Sequence, residues 1–483
     1  MKKAIIFSLS ALLLSTSCVD NLTEYNVDIK NPATVPGTAL FSNAERALTR
    51  QVINTNVNLN PFRLYVQYWA ETTYPQESQY DIATRQINRG HWDALYTRVL
   101  GNLNEAKNLI PNNQFASAKT IANQQACVEI LAIYTWKTLV DTYGNIPYTE
   151  ALNFNNSQPK YDDAKAIYAS LFTRMDAALA TLDNTAEGMG SADILYNGNI
   201  DSWKKFGNSL KLRMALTIAD DDAAKAKTAA EQAAPNAFKA VGDRAQLQFV
   251  ASPPNTNPLW EDLVQSGRKD FVGTNVFIDT LKAKNDPRLP LYFKEAPQGG
   301  YIGGIYGARS NVNVPSVLSV PGTRLEDPTL PGVLLSYSEV EFLLAESVER
   351  GFAVGGTAAS HYNAAVTASI QEQGGTAADA ATYLAQPKVA YATTAGAYAN
   401  GLYKRKIGIQ KWIALYDQPV VAWTEWRRLD APTLIKPARG LTDIPKRFPY
   451  PSTESNLNGA NRTQAATAIG GGVVTTKLFW DKF

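Results

Sequence analysis

Few residues in this chain of 483 amino acids have the types and spacings that enzyme chemistry requires. The two histidines, His91 and His361, stand far apart, so the sequence holds no HExxH zinc motif and little basis for a histidine-dependent triad. Neither a GxxxxGKS/T phosphate loop nor a GxSxG nucleophile elbow occurs. No motif singles out a pair among the 44 acidic residues, so we predict no catalytic residue, no metal site and no cofactor.

The chemistry of Cys18 points to a membrane. Lys2 and Lys3 precede an apolar run at residues 4–14, and three small residues at 15–17 lead directly into the cysteine. This order is typical of a bacterial export signal, and the run is too short to span a bilayer. A cysteine after small residues is where a lipoprotein receives its diacylglyceryl group, so we predict that Cys18 is lipidated.

Cleavage before that cysteine defines the domain organisation. Residues 1–17 would be the signal peptide, and residues 18–483 a single domain with a short tether at about 19–26. Loss of the two lysines balances the basic and acidic residues, so charge gives no reason to expect nucleic-acid binding. Cys127 would be the one thiol left besides the lipidated residue, so no intramolecular disulfide is expected.

Hydrophobic periodicity predicts a mainly α fold. Apolar residues recur at steps of three and four on a helix that begins near Asp162, and a helix from about Lys119 to Tyr143 is apolar on most of its circumference, which predicts a central position. A further helix is expected after a capping box formed by Ser336 and Glu339. Helix pairs joined by short loops favour a tetratricopeptide-like arrangement, although the spacing is too irregular for a 34-residue repeat.

Two long segments lack a helical period. Residues 250–335 and 436–475 are rich in Pro, Gly and Asn, and the runs between the prolines at 445, 449 and 451 are too short to sustain a helix. Long segments of this kind inside a folded protein are usually functional or disordered. Their aromatic content favours long ordered loops.

Six motifs, in order over nearly the whole chain, carry a resemblance to a known family. They are NVDIKNP at 26–32, DTYGNIPYTEA at 141–151, WKKFGNSLKLRMA at 203–215, YSEVEFLLAE at 337–346, IQKWIAL at 409–415 and AWTEWRR at 422–428. With these motifs the chain resembles the SusD/RagB superfamily of outer-membrane nutrient-binding lipoproteins, in its SusD-like branch.

This resemblance implies a SusD-like fold with tetratricopeptide-like helix pairs and irregular loops that form a ligand site. It also implies a lipid-anchored location on the outer membrane, facing the cell exterior, and a TonB-dependent SusC-like transporter as partner. An oligosaccharide is the expected ligand, and a peptide is the alternative within the family. A glycoside hydrolase and a purely structural helical scaffold are the less favoured alternatives.

Aromatic residues on loops are the expected ligand contacts, because sugars pack their C–H faces on flat rings and offer hydroxyls to polar side chains. The richest stretch, Tyr65 to Trp92, falls where the family has its N-terminal binding loops. A Gly-rich loop at 299–307 is the second candidate, since glycines let a backbone approach a ligand closely. The predicted ligand-binding residues are Tyr74, Tyr80, Arg85, Trp92, Trp260, Tyr301 and Tyr306.

The family motifs themselves are interpreted as scaffold, because buried polar groups are usually satisfied within the protein. The polar residues of the 203–215 helix would hold loops against the body. On the 337–346 helix, Glu339 would cap the helix, and Glu341 and Glu346 would lie on a solvated or ion-pairing face. Likewise, an ion-pairing element is favoured over an anion site for the last motif. The residues concerned are Asn208, Lys211, Arg213, Glu339, Glu341, Glu346, Glu425, Arg427 and Arg428.

Lipidation can be tested by labelling cells with radioactive palmitate. The wild-type protein is expected to incorporate the label, and Cys18→Ala to lose it, because the thiol is the attachment point. Cys127→Ala is the matched control and is expected to be labelled normally. Equal labelling of Cys18→Ala and wild type would contradict the assignment.

Overall fold

Helices make up most of the structure, a computed structural model that describes residues 35–82, 84–394 and 396–483. Residues Gly37–Phe483 cluster as one unit. In the described part of the chain, no helix is both long and apolar enough to cross a membrane. The signal peptide, Cys18, the tether and the 26–32 motif lie outside the described residues and stay predictions.

The longer elements are regular α-helices, and short helical turns stand between them. In chain order they are α1 Gly37–Ile53, α2 Phe62–Tyr65, α3 Ile87–Asp93, α4 Gly101–Leu109, α5 Ala118–Tyr143, α6 Ala164–Thr181, α7 Ile200–Thr217, α8 Ala223–Ala233, α9 Pro258–Trp260, α10 Asn275–Ala283, α11 Leu289–Tyr292, α12 Tyr337–Glu349, α13 Ala358–Glu372, α14 Ala377–Leu384, α15 Tyr403–Ala414, α16 Pro419–Leu429, α17 Ser452–Leu457 and α18 Gly459–Ala468. Two further segments, Ala94–Leu100 and Glu261–Gln265, are π-helical.

Neighbouring helices pack as pairs, which confirms the predicted mainly α fold. The pairs are α5 with α6, α7 with α8, α12 with α13, and α15 with α16. Helix α5 is buried along most of its length, as its apolar circumference predicted. Each pair covers its apolar stripe only by stacking on the next, which is the logic of tetratricopeptide-like stacking.

Side-chain caps set several of these helix starts. The Asp163 carboxylate accepts hydrogen bonds from the backbone N–H groups of Lys165 and Ala166, both at 3.0 Å, so α6 begins where the sequence predicted. The Ser336 hydroxyl accepts the N–H of Glu339 at 3.2 Å, which forms one half of the predicted capping box. The other half is wrong, because the Glu339 carboxylate turns away from the cap to bind Arg213.

Three two-stranded antiparallel ladders tie the loops together. The strands are β1 Trp69–Glu71, β2 Ile146–Pro147, β3 Tyr161–Asp162, β4 Ala245–Leu247, β5 Phe271–Gly273 and β6 Gly332–Leu335, paired as β1 with β5, β2 with β3, and β4 with β6. The β1–β5 ladder brings together two segments about 200 residues apart in sequence, with Glu71 opposite Phe271.

The two segments without helical period contain more helix than expected. Helix α10 lies inside 250–335, and α17 and α18 lie inside 436–475. Helix α10 begins at a Thr274 cap, whose hydroxyl accepts the N–H of Phe277 at 3.0 Å, and it buries Phe277, Ile278 and Leu281. Such short helices are stabilised mainly by tertiary packing, so a weak periodicity was enough and the loop prediction was wrong there.

A buried ionic network joins α12 to the last helix pair. Arg428 on α16 donates to Glu346 on α12 at 2.6 Å, and Glu425 accepts from Lys411 on α15 at 2.8 Å. All four side chains are almost inaccessible to solvent. Burial alone would raise the pKa of Glu425, but Arg428 and Lys411 hold it below its usual value. The ion-pairing interpretation of this motif is confirmed for Glu425 and Arg428. It is wrong for Arg427, whose guanidinium donates to backbone carbonyls.

The other polar residues of the motifs also form ion pairs or hydrogen bonds within the protein. Arg213 on α7 makes a bidentate contact with Glu339, both bonds at 2.6 Å, and donates to the Leu334 carbonyl of β6 at 3.0 Å. Asn208 instead bonds the Lys204 carbonyl within its own helix, so it holds no loop. Lys211 pairs with Asp176, and Glu341 with His361.

Glu346→Gln tests the importance of the network. It removes a negative charge that faces two arginines, Arg428 and Arg350, in a site without solvent. Because an uncompensated buried charge is strongly unfavourable, the free energy of unfolding is expected to fall by about 3 kcal/mol, measured by urea titration.

The control for this variant is Lys436→Gln, which breaks the exposed ion pair with Asp443. It is expected to leave the urea midpoint almost unchanged, since exposed pairs contribute little. Equal stability of Glu346→Gln and wild type would show that the network carries little of the fold's stability.

Candidate ligand-binding groove

An exposed tyrosine and a guanidinium group form one wall of a polar groove. Tyr74 lies in the loop between β1 and α3, has φ 55°, and is 56% exposed. The guanidinium carbon of Arg85 lies 5.7 Å from the centroid of its ring, within cation–π range. Arg85 is held there by Glu77, with an N–O distance of 3.2 Å, and by Gln76.

The opposite wall comes from the segment that enters β5. The β1–β5 ladder continues with the Thr72 N–H, which donates to the Asp270 carbonyl at 2.9 Å, and so fixes the two walls relative to each other. The enclosed space is about 240 Å³. Its lining is mixed, with two aromatic rings among hydroxyls, amides and charged groups: Thr55, Asn56, Val57, Asn58, Glu71, Thr73, Tyr74, Arg85, Asp262, Ser266, Arg268, Asp270 and Phe271.

Two neighbouring carboxyl groups stiffen the tyrosine loop. Burial, together with the nearby Glu77, raises the pKa of Glu71 well above its ordinary value. Burial likewise raises the pKa of Glu77. Glu71 accepts hydrogen bonds from the Ser78 N–H at 2.9 Å and the Ser78 hydroxyl at 2.7 Å. Both carboxyl groups therefore take the neutral form more readily than a free glutamate, and Glu71 ties the loop to Ser78.

The remaining acids of the groove are already engaged. Asp262 accepts from the Thr55 hydroxyl at 2.9 Å, and Asp270 accepts from Arg268 at 3.2 Å. Among the described residues, no group of three or more His, Cys, Asp or Glu side chains is placed to hold a metal ion. The groove therefore offers a flat ring and fixed hydrogen-bonding groups to a polar ligand.

Three of the predicted ligand residues are buried. Tyr80 and Tyr306 are each 2% exposed and Trp92 is 7% exposed. The ring of Tyr80 packs between those of Tyr65 and Tyr306, with centroid distances of 5.7 and 6.2 Å. Burial raises the pKa of Tyr80 to about 12. In this conformation these rings support the loops from inside, so they do not fit the predicted contact with a ligand.

Trp92 fills a different part of the core. Its ring lies 4.7 Å from that of Tyr96 and 4.9 Å from that of Tyr143, measured between centroids. The aromatic residues of the 65–92 stretch thus serve mainly to pack the core, with Trp92 joining α3 to α5. The rings of Tyr65, Tyr68 and Trp69 contact α16, α10 and β5 in the same way. Of the ligand residues predicted from this stretch, Tyr74 and Arg85 line the groove.

The last two predicted residues lie elsewhere. Trp260 and Tyr301 are half-buried, neither lines the groove, and Tyr301 packs against the core. Gly303 in this loop serves internal packing, since a Cβ on it would stand 2.4 Å from the backbone of Asn275, whereas Gly299 and Gly300 face open space. The close backbone approach that Gly303 allows is therefore to α10.

Several groove residues were missed from sequence. Arg268, Asp270 and Phe271 reach the groove only through the β1–β5 pairing, and three-residue strands leave no clear periodicity. Asn56 and Asn58 had a visible signal, the Asn-rich stretch NTNVNLN at 54–60. Asparagines that alternate with other residues at this density are typical of an irregular polar loop.

The fold defines the class, a mainly α protein of stacked helix pairs that carries a polar groove. A family model described as "SusD-like_2: Starch-binding associating with outer membrane" matches residues 29–451. The chain therefore belongs to the SusD-like family, whose description associates it with the outer membrane. No curated protein sequence matches the chain.

Solved structures agree with the family assignment. A chitin-binding SusD homolog from Flavobacterium johnsoniae is 25% identical with a TM-score of 0.78, and the match covers 92% of this chain and 98% of that one. A SusD homolog from Bacteroides uniformis is also 25% identical, with a TM-score of 0.80 and coverage of 92% and 99%. These similarities confirm the predicted SusD-like fold.

The variants Tyr80→Ala and Tyr74→Ala test the assignment of Tyr80 to the core and of Tyr74 to the groove. Loss of the buried Tyr80 ring is expected to lower the free energy of unfolding by about 3 kcal/mol, as for other large core side chains. Loss of the exposed Tyr74 ring is expected to change it by less than about 0.5 kcal/mol. Urea unfolding of both variants measures this, and equal stability of the two would contradict the assignment of Tyr80 to the core.

Proposed function

We propose that this protein is a lipid-anchored outer-membrane binding protein that captures an oligosaccharide and delivers it to a TonB-dependent SusC-like transporter. The observation that carries the proposal is the Tyr74 ring, exposed beside Arg85 at the edge of a groove rich in hydrogen-bonding groups. A sugar ring can pack its C–H face on such a ring while its hydroxyls bond the polar lining.

The size of the groove favours part of a longer ligand. At about 240 Å³ it is smaller than the roughly 300–1,000 Å³ of pockets that enclose a whole small molecule. One sugar unit of an oligosaccharide would sit on Tyr74 and its neighbours would extend along the surface. Family membership supports a glycan ligand, since the matching model is described as starch-binding and one similar structure as chitin-binding.

Binding without catalysis is the form of activity that we propose. Glycoside hydrolysis requires one carboxyl group to protonate the leaving oxygen and a second to act as base or nucleophile. In the groove, Glu71 is occupied by Ser78, Asp262 by Thr55 and Asp270 by Arg268. Carboxyl groups held in this way fit hydrogen bonding to hydroxyls better than proton transfer.

The location and the partner rest on other support. The lipobox that ends at Cys18 supports attachment to a membrane, and the family description names the outer membrane. The SusC-like transporter and the outward orientation follow from the family resemblance. A body tethered through residues 19–26 could cover and uncover a transporter while it remained anchored.

Tyr74→Ala tests the proposed site. Maltotetraose and chitotetraose are titrated into wild type and variant by isothermal calorimetry, because the family description and a similar structure name starch and chitin. The wild type is expected to bind at least one of them. Loss of the stacking surface is expected to weaken that binding about tenfold.

Phe154→Ala is the matched control, since it removes a 99% exposed aromatic ring that does not line the groove. It is expected to bind like wild type. Unchanged affinity of Tyr74→Ala would remove this residue from the site. Sustained release of new reducing ends would instead favour a glycoside hydrolase, and copurification of a transporter without any sugar binding would favour a structural scaffold.

A further inference from the structure

A second, larger cavity adjoins the groove. Its volume is about 520 Å³, and it shares the lining residues Asn56 and Asp262 with the groove. The two spaces therefore lie next to each other at these two residues. The larger cavity, named here the arginine cavity, is lined by Asn43, Arg46, Ala47, Arg50, Gln51, Asn54, Asn56, Leu59, Ala94, Thr97, Arg98, Asn102, Pro254, Pro258, Glu261 and Asp262.

Both π-helical segments found in the described parts of the chain line the arginine cavity. Ala94–Leu100 contributes Ala94, Thr97 and Arg98, and Glu261–Gln265 contributes Glu261 and Asp262. A π-helical turn is less favourable than α-helix and occurs frequently at functional sites. Two such turns at one cavity indicate that its shape is maintained against the ordinary preference of the backbone.

The charge of this cavity is positive. Arg50 is neutralised by Glu261, with an N–O distance of 2.7 Å. Arg46 donates only to amide oxygens, those of Asn255 at 2.7 Å and Asn43 at 3.0 Å. Arg98 is exposed, and within the described chain neither Arg46 nor Arg98 has a carboxylate oxygen within 4.0 Å.

Only one further carboxyl group lines the cavity, that of Asp262. Burial raises its pKa above the ordinary value, although Thr55 opposes the shift by donating to it. Three arginines thus face two carboxyl groups, one of them already paired. The whole chain carries a formal charge of only +2, so the excess is a local feature.

We propose that the arginine cavity is a subsite for an anionic sugar, one that bears a carboxylate or a sulfate ester, in an oligosaccharide that continues past Asn56 and Asp262 to Tyr74. A guanidinium group binds carboxylate and sulfate oxygens through a planar fork of N–H donors, and such charge-assisted bonds are stronger than neutral ones. The amides of the lining supply partners for the sugar hydroxyls. This inference rests on the proposed oligosaccharide binding and specifies its ligand class.

The test is calorimetry at low salt with four probes. Tetragalacturonate carries carboxylates, and its full methyl ester has the same sugars without the charge. A κ-neocarratetraose sulfate carries sulfate without carboxylate, and maltotetraose is neutral. The wild type is expected to bind at least one of the anionic probes at least about tenfold more tightly than the methyl ester and maltotetraose.

The variant Arg46→Gln/Arg98→Gln removes two positive charges and keeps polar side chains. It is expected to lose that preference, with affinity for the anionic probe falling about tenfold or more and affinity for neutral probes unchanged. The matched control is Lys388→Gln/Arg405→Gln, which removes the same charge from residues that do not line either cavity. It is expected to keep the preference.

The outcomes distinguish this inference from the proposed function. If neutral probes bind, their binding depends on Tyr74, and anionic probes bind no more tightly, the subsite proposal is overturned. The proposal of a ligand-binding groove at Tyr74 then still stands. An anionic preference that depends on Arg46 and Arg98 but not on Tyr74 would support the subsite and overturn the groove. Equal loss in the control variant, or no binding of any probe to the wild type, would overturn the subsite.

Discussion

The burial of charged side chains is the constraint on which the rest of the structure depends. Arg428 and Glu346 are removed from water between α12 and α16, which is favourable only because each charge meets partners with good geometry. Arg427, next in sequence, donates to the backbone carbonyls of Asp141 at 2.7 Å and Lys446 at 2.9 Å. Helix α16 therefore holds three parts of the structure in place: helix α12, the end of α5 and the C-terminal loop.

The groove depends on the same helical scaffold indirectly, through the loop that carries Tyr74. Two contacts hold the segment that leads to Tyr74. The indole N–H of Trp412 on α15 donates to the Val66 carbonyl at 2.9 Å, and the side chain of Gln67 forms hydrogen bonds with the backbone of Ile435. The β1–β5 ladder then sets the second wall. Rigid helices thus carry an irregular loop in one conformation, which reduces the entropy lost when a ligand binds.

The sequence was sufficient for features that rest on local rules. The start of α6 near Asp162 followed from its apolar periodicity, and the central position of α5 from its apolar circumference. The pairing of Glu425 with Arg428 followed from their proximity in sequence. Features that depend on contacts between distant segments could not be predicted from the sequence. The sequence around Tyr74 and Tyr80 does not show which is exposed, because the burial of Tyr80 depends in part on Tyr306, a residue far away in sequence.

The central claim is that an oligosaccharide binds on Tyr74 without rearrangement of the helices. A crystal structure of the complex with maltotetraose or chitotetraose tests it most directly. The account predicts a sugar ring about 3.5–4.0 Å from the Tyr74 ring, hydroxyls bonded to Arg85 and Asp270, and helices in the positions described above. A sugar bound away from this groove, or one that reaches Tyr80 and Tyr306 after the loop opens, would contradict it.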